Sequence, residues 1–407
     1  MRAPLTGRRQ TENLPGRVMP TKTDLQPAPT PSGYVRDWGL LAALTPSELR
    51  TATSAILATP LPVVNTALVS PVGFDAFDDD VRGDRARPLA QASTTPSGGL
   101  RIRAGRARLA ELDRASALSP AQLTELRAYA AVEVPFGAAA GPVELAGYLR
   151  QLLVAGVPVL APDLPLVVRR LLGPVLGELV ATLTYATVAD PDRRERWSVA
   201  ARRAALRAAT AAAGVASSPP SVTAIVSPGD TGVLDDLRRQ TWPALTVRPA
   251  GDAAERQRAL ETCTTELVTL PAAGLRYAPE HVEDLVLGRG YGLRPISGVR
   301  VRRTFLPALD VTVRAPGLPS ERPADSLTAA TVLGSPADLL ALGLDRLDDP
   351  LAPVDVGDDG YAVHDRGVCR VARDPGELDR ALRAGGRQLG GSGRVDAGYA
   401  SYFARHS

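Results

Sequence analysis

Residues 221–247 restrict the fold most, because two short β-branched segments flank an amphipathic one. Ser221-Val-Thr-Ala-Ile-Val predicts a strand, Ser227-Pro-Gly-Asp-Thr-Gly a loop, Val233-Leu-Asp-Asp-Leu-Arg-Arg-Gln a helix and Leu245-Thr-Val a second strand. Two strands that are joined through a helix run parallel in one sheet. The segment therefore favours an open α/β sheet whose ligands bind beyond the carboxyl end of the first strand.

The first half of the chain shows the same alternation. Tyr129-Ala-Ala-Val-Glu-Val-Pro predicts a strand, residues 141–155 a helix that Pro142 opens, and Val157-Pro-Val-Leu a second strand. This β-α-β unit predicts an α/β fold for the first half as well.

Other segments of the first half give further expectations. Thr45-Pro-Ser-Glu-Leu predicts the start of a helix, and residues 63–69 predict a short buried strand. Residues 74–99, which include Asp78-Asp-Asp, predict an exposed polar loop. Residues 164–180 are apolar on most faces and predict a core helix, with peripheral membrane contact as the alternative. A long Arg/Ala helix is expected from Asp190 onward.

The length of 407 residues fits two cores of ordinary domain size. Residues 1–37 are rich in Pro, Thr and Arg and predict a disordered tail, in which either Met1 or Met19 starts the protein. Residues 38–213 are expected to form an N-terminal α/β domain and residues 214–375 a second domain. A tail or helix is expected at 376–407.

Composition excludes several functions. The 47 Lys+Arg and 44 Asp+Glu residues are interspersed, so no face is built to bind nucleic acid. Cys263, Cys369 and three histidines form no spaced cluster, so no zinc site is predicted. No segment reaches the roughly 18 uninterrupted apolar residues of a membrane span, and a cytoplasmic location is expected.

Residues 222–247, with the turn Gln240-Thr-Trp-Pro, resemble the opening nucleotide-binding unit of family 2 glycosyltransferases. Segments that begin at Thr265, Tyr277, Phe305 and Ser326 follow in the order of that family. The resemblance covers about residues 198–367. It implies a GT-A fold, of the nucleotide-diphosphosugar transferase type, for the second domain.

The sequence departs from this family where the family binds metal. Pro271-Ala-Ala-Gly-Leu stands in place of the Asp-rich motif, and Arg248-Pro-Ala-Gly replaces the acidic residues after the second strand. Mg²⁺ and Mn²⁺ need hard oxygen ligands, which alanine and glycine side chains do not supply. No metal residue is therefore predicted, and Mg²⁺ or Mn²⁺ is expected only if an unrecognised site replaces the missing motif.

The resemblance implies that Ser227, Pro228 and Asp230 bind a nucleotide-sugar. Arg300 and Arg302 are candidates to neutralise its diphosphate without metal, and a solvated strand face is their alternative interpretation.

Asp355 and Asp359 are the candidates for the catalytic base, which takes a proton from the attacking hydroxyl group. An exposed Asp-Gly turn is the alternative interpretation of the same carboxylates.

Two further clusters have structural interpretations. His281 stands with Glu280, Glu283 and Asp284 at a helix start, where helix capping explains the acids and a metal or base site is the alternative. Gly288-Arg-Gly-Tyr-Gly follows a predicted helix, and a helix C-cap explains it better than a phosphate loop does.

Two functions remain open at this point. The protein is a glycosyltransferase that moves a sugar from a nucleotide-sugar donor to a hydroxyl acceptor, or it is a catalytically degenerate homologue. In the second case it acts as a binding or scaffolding module with a partner protein.

Overall fold

The computed structural model describes residues 46–47, 50–51, 54, 57 and 87–389, except 113–117, 127, 136–140, 213–217, 308–310, 316–319, 347–348 and 373. The described residues between 46 and 57 are helical, and the Thr51 hydroxyl donates to the Ser47 carbonyl oxygen at 3.2 Å. The helix predicted from Thr45 is thus confirmed. The strand predicted at 63–69, the acidic run 78–80 and the N-terminal tail lie outside the described residues.

Three strands of the first half form a meander, which two parallel strands extend to give the order β3-β2-β1-β4-β5. The elements of this half are β1 (Leu89–Thr94), β2 (Leu100–Ala104), β3 (Ala107–Leu112), α1 (Pro120–Leu126), β4 (Ala131–Glu133), α2 (Pro142–Val154), β5 (Val159–Leu160), α3 (Leu166–Leu172), α4 (Pro174–Thr182), α5 (Tyr185–Ala189) and α6 (Pro191–Ala212).

The unit β4-α2-β5 confirms the predicted β-α-β pattern. Val132 pairs in parallel with Val159, and α2 begins at Pro142, whose missing N–H costs nothing at that position. Leu149, Leu152 and Leu153 of α2 are buried in the core.

Two predictions in the first half are wrong. Residues 74–99 are not loop throughout, because β1 occupies Leu89–Thr94 and pairs with β2, burying Ala90 and Ala92. Residues 164–180 do not form one helix. Gly173 adopts φ 89°, which ends α3, and Pro174 then starts α4.

The second half contains a larger sheet of seven strands in the order β13-β17-β10-β15-β8-β6-β7. Its elements are β6 (Val222–Val226), α7 (Thr231–Arg238), β7 (Leu245–Pro249), α8 (Ala253–Glu261), β8 (Leu267–Thr269), β9 (Leu275–Tyr277), α9 (His281–Gly292), β10 (Ile296–Val299), β11 (Arg303–Leu306), β12 (Val311–Arg314), β13 (Arg322–Pro323), β14 (Ser326–Thr328), β15 (Leu333–Gly334), α10 (Pro336–Ala341), β16 (Pro353–Asp355), β17 (Gly360–Val363), β18 (Val368–Val371), α11 (Pro375–Arg383) and β19 (Arg387–Leu389).

The direction of these strands fixes where a ligand can bind. β7, β6 and β8 are mutually parallel, β15 is antiparallel to both β8 and β10, and β17 is parallel to β10. The carboxyl ends of β7, β6, β8, β10 and β17 therefore share one edge, called the carboxyl edge below. The predicted fold class is α/β in both halves, and the two sheets confirm this. The GT-A type of the second half stays a prediction.

Two smaller sheets complete the second half. One has the order β19-β12-β11-β18-β9, and the other is the pair β14-β16. The segment that begins at Phe305 covers the end of β11 and all of β12, which pair antiparallel with Phe305 opposite Thr312. Within the described part of the chain, no helix is long and apolar enough to cross a membrane.

Helix α6 packs on both halves of the protein. On the first half, Trp197 donates its indole N–H to the Leu179 carbonyl oxygen at 2.9 Å. On the second half, Arg202 pairs with Glu321 at 2.6 Å and Arg203 pairs with Asp284 at 2.7 Å. The domain boundary at 213/214 stays a prediction, because α6 contacts both sides of it.

Candidate functional site

The candidate site is the carboxyl edge, where five loops meet. They follow β6, β7, β8, β10 and β17, at residues 227–230, 250–252, 270–274, 300–302 and 364–367. Parallel strands bring all of these loops to one edge of the sheet, although the first begins at residue 227 and the last ends at residue 367.

The first loop is an exposed turn that leads into α7. The Ser227 carbonyl oxygen accepts the Asp230 N–H at 3.0 Å, and Pro228 and Gly229 are exposed. Asp230 precedes α7, yet its carboxylate caps no helix N–H. A Cβ atom built on Gly229 would meet nothing within 4 Å. The structure therefore places Ser227, Pro228 and Asp230 at the carboxyl edge, and their binding role stays a prediction.

A buried carboxylate holds α7 in place beneath this loop. Asp236 is fully buried and accepts two hydrogen bonds from Arg276, at 2.8 and 2.9 Å, and one from the Tyr277 N–H at 2.9 Å. The Tyr277 hydroxyl in turn accepts the Ala272 N–H at 2.9 Å and donates to the Ala330 carbonyl oxygen at 3.2 Å. Burial raises the pKa of this phenol, so it stays protonated. The network fixes α7 relative to the loop after β8.

The loop after β8 contains no carboxylate. Pro271 is buried, Ala273 and Gly274 are exposed, and Gly274 has φ 84°, a conformation that glycine adopts without strain. Among the described residues, no group of three His, Cys, Asp or Glu side chains could hold a metal ion. The donor set at the carboxyl edge therefore does not fit Mg²⁺ or Mn²⁺.

Arg300 and Arg302 lie at the carboxyl edge, between β10 and β11. Arg300 donates its Nε–H to the Ser326 carbonyl oxygen at 2.9 Å and lies 3.3 Å from an oxygen of Asp325. Arg302 is 10% exposed and lies 3.4 Å from Asp365. Both guanidinium groups have internal partners, so the alternative of a solvated strand face is wrong. Arg303, which follows them, is almost fully buried.

Asp355 and Asp359 are exposed carboxylates near β17. Asp355 opposes Ser326 in the β14-β16 pair and accepts the Gly357 N–H at 3.0 Å. Ser326 is also the carbonyl partner of Arg300, so Asp355 and Arg300 share a neighbour. Asp359 precedes the amino end of β17 and thus lies at the opposite edge from Ser227. The structure does not bring Asp359 to the carboxyl edge.

The acids near His281 do not cap the helix, contrary to the prediction. Glu280 occupies the N-cap position of α9 without a side-chain cap bond. Glu283 and Asp284 are buried, and Arg207 and Arg203 of α6 pair with them. The imidazole Nε2 of His364 lies 3.2 Å from Asp284. Although burial opposes it, Arg203 and His364 hold the pKa of Asp284 below its ordinary value.

The glycine run 288–292 also differs from its prediction as a helix C-cap. These residues lie within α9, and Leu293, at φ 52°, takes the left-handed position after the helix. A Cβ atom on Gly288 would lie 2.4 Å from Val363, and one on Gly292 would lie 2.5 Å from the Tyr361 ring. Close packing of α9 on β17 therefore accounts for these glycines.

Sequence reasoning missed the buried ion pairs of α6. Its side chains at 192, 195, 202, 203 and 207 recur on one face at helical spacing, which is the signal that could have identified them. Glu321 illustrates the result: its carboxylate accepts from Arg202 at 2.6 Å, from the Tyr291 hydroxyl at 2.8 Å and from the His364 N–H at 3.1 Å.

Acid is expected to destabilise the protein through His281. Burial, with His364 nearby, lowers its folded-state pKa to about 4 from 6.5. The unfolded chain therefore binds the extra proton between these values, so stability is full above 6.5 and falls by about 3 kcal/mol as the pH drops to 4. Urea unfolding across this range measures the loss. A His281→Gln variant should show a flatter slope, and an unchanged slope would contradict this origin.

Comparison with known proteins gives distant similarities. No protein-family model and no curated protein matches the chain. The crystal structure of S. aureus TarS 1–349 in complex with UDP is 13% identical, with a TM-score of 0.26, over 40% of this chain and 64% of that chain. The complex of S. aureus TarS 1–349 with UDP-GlcNAc is 12% identical, with a TM-score of 0.27, over 38% and 59%. The chain spans less than two thirds of each, and similarities at this level assign no activity by themselves.

Proposed function

We propose that the second half, residues 214–375, is a glycosyltransferase-like module that binds a nucleotide-sugar without metal and does not transfer the sugar. The observation that carries this proposal is the loop after β8, where Pro271-Ala-Ala-Gly supplies no carboxylate. A divalent ion normally neutralises the two phosphates of a sugar donor as the bond to the leaving group breaks. Without such an ion, binding remains feasible, but the leaving diphosphate is poorly stabilised.

The exposed turn at Ser227, Pro228 and Asp230 is the proposed nucleotide contact. Pro228 and Gly229 are exposed, Ser227 and Asp230 are half-buried, space surrounds Gly229, and the Asp230 carboxylate does not cap the helix. Asp236 and Tyr277 hold α7 and the loop after β8 beneath it, so the surface is rigid before the ligand arrives. Preformed surfaces lose less entropy on binding.

A metal-independent transferase is the second candidate. It is favoured by the shared neighbour Ser326, which is the strand partner of the exposed Asp355 and accepts a hydrogen bond from Arg300. In that case Asp355 would take the proton of the acceptor hydroxyl, and Arg300 would leave Asp325 to pair with a phosphate oxygen.

Calorimetric titration with UDP-, GDP- and dTDP-sugars, with and without Mn²⁺, tests the proposal. One donor should bind with the same affinity in both conditions, and no nucleoside diphosphate should be released over time. Asp230→Asn should weaken binding, whereas Asp379→Asn on the exposed surface of α11 should not. Mn²⁺-dependent affinity, turnover of the donor, or the absence of binding to any of the donors would each overturn the proposal.

A further inference from the structure

The meander of β1, β2 and β3 has a basic outer face, which lies in the half of the protein that the proposed function does not use. Residues 87–112 contain five arginines and a single carboxylate, Glu111. Four of these arginines lie on β2, on β3 or in the turn between the two strands, namely Arg101, Arg103, Arg106 and Arg108. This surface is called the basic face below.

The strand register shows that these side chains share one side of the sheet. Directly opposed residues of antiparallel strands point to the same side, and Arg103 lies opposite both Gln91 of β1 and Arg108 of β3. Ile102, which precedes Arg103, is fully buried on the other side. The core of the first half therefore covers one side of the meander, and the arginines, with Gln91 and Ser93, occupy the other.

Glu111 does not neutralise the basic face. Its carboxylate lies 2.9 Å from Arg101 and 3.0 Å from Arg108, and the hydrogen bond from Arg101 lowers its pKa, so it stays ionised. Arg103 and Arg106 are exposed, and within the described part of the chain neither forms an ion pair with a carboxylate. Four arginines and one glutamate leave an excess of three positive charges on this face.

The remaining side chains of the basic face decide which anionic partner it fits. Residues 87–112 include no aromatic side chain, so the face offers no ring on which the bases of a single-stranded nucleic acid could stack. The meander also presents no helix to a DNA groove. A lasting protein interface needs an apolar centre, whereas the exposed side chains of these three strands are polar apart from Ala107.

We propose that the basic face binds the phosphate groups of an anionic lipid surface. Neighbouring strands lie about 4.8 Å apart and side chains of one face recur about every 6.8 Å along a strand, so the arginines form a broad, shallow array. Lipid headgroups move in the plane of a bilayer and gather under such an array. Clusters of about four basic residues are typical of segments that bind anionic lipids. This attachment does not depend on the binding of a nucleotide-sugar.

Co-sedimentation of the full chain with lipid vesicles tests this attachment. The protein should bind vesicles of equal parts phosphatidylglycerol and phosphatidylcholine, should not bind pure phosphatidylcholine, and should be released by salt. Arg103→Gln together with Arg106→Gln removes two exposed charges that have no carboxylate partner among the described residues, and it should lower the binding constant about tenfold or more. Arg103→Lys together with Arg106→Lys keeps both charges, so binding should stay within about threefold of the original.

The matched control removes the same net charge from the second half. Arg238 and Arg383 are 73% and 79% exposed, and Arg238→Gln together with Arg383→Gln should leave vesicle binding unchanged. Equal losses in the two glutamine pairs, or no binding to the anionic vesicles, would overturn the proposal. Release from the vesicles by soluble glycerol phosphate at the same phosphate concentration would also overturn it, as would tighter binding to a double-stranded oligonucleotide.

Discussion

Asp365→Asn is expected to destabilise the protein by about 4 kcal/mol, because it removes the carboxylate closest to two buried arginines and leaves Arg303 and Arg314 with longer contacts to other acids. Asp365 is 1% exposed and lies 3.1 Å from Arg303, 3.0 Å from Arg314 and 3.4 Å from Arg302. Asparagine keeps the shape of the side chain but removes the charge. The free energy of unfolding in urea measures the loss, since urea does not screen ion pairs as a salt does.

The matched control is the same substitution in an exposed ion pair. Asp379 pairs with Arg383 on α11 at 2.6 Å, and both side chains are more than half exposed. Asp379→Asn should change the free energy of unfolding by less than about 1 kcal/mol. Equal effects of the two substitutions would show that the buried cluster around Asp365 does not depend on its charge.

Gly360→Ala is the second large expected effect, and it should destabilise the protein by about 3 kcal/mol. An added Cβ atom would lie 2.2 Å from the Ala324 carbonyl oxygen and 2.3 Å from Val356. Gly360 starts β17, which pairs with both β10 and β13, so the backbone on either side is held by sheet bonds. The clash therefore has to be relieved by moving a strand.

Gly229→Ala provides the matched control in the same half of the protein. Nothing lies within 4 Å of an added Cβ atom there, so the free energy of unfolding should change by less than about 1 kcal/mol. Thermal unfolding of both variants measures the difference. A midpoint for Gly360→Ala that equals that of Gly229→Ala would contradict the clash.

Regular elements with a clear period could be predicted from the sequence. The strand at Val222–Val226, the helix after it and the strand at Leu245–Pro249 have the predicted order, because alternating and helical spacings differ along the chain. β1 could not be predicted in this way. Its residues Leu89–Thr94 are half polar, and only pairing with β2 and β4 makes them a strand.

The sequence predicts where the candidate site lies, at the carboxyl edge of the sheet, but it does not predict which side chains contact each other there. Parallel strands place Ser227 and Arg300 at one edge whatever their side chains do. The partners of the arginines depend instead on tertiary packing. The spacing along α6 marks its charged face, but it does not reveal that Arg202 pairs with Glu321, which lies 119 residues away.

A break in the chain before α6 and a break after it would have different effects, because the two faces of this helix contact different halves of the protein. Separation of the chain after α6 would remove the arginine counterions of two buried carboxylates, Glu321 and Asp284. Cleavage before α6 would expose the surface of the first half that Trp197 covers. Both halves therefore pack on α6. We expect that neither half stays stable when it is transferred to another protein, or released by a protease, without this helix.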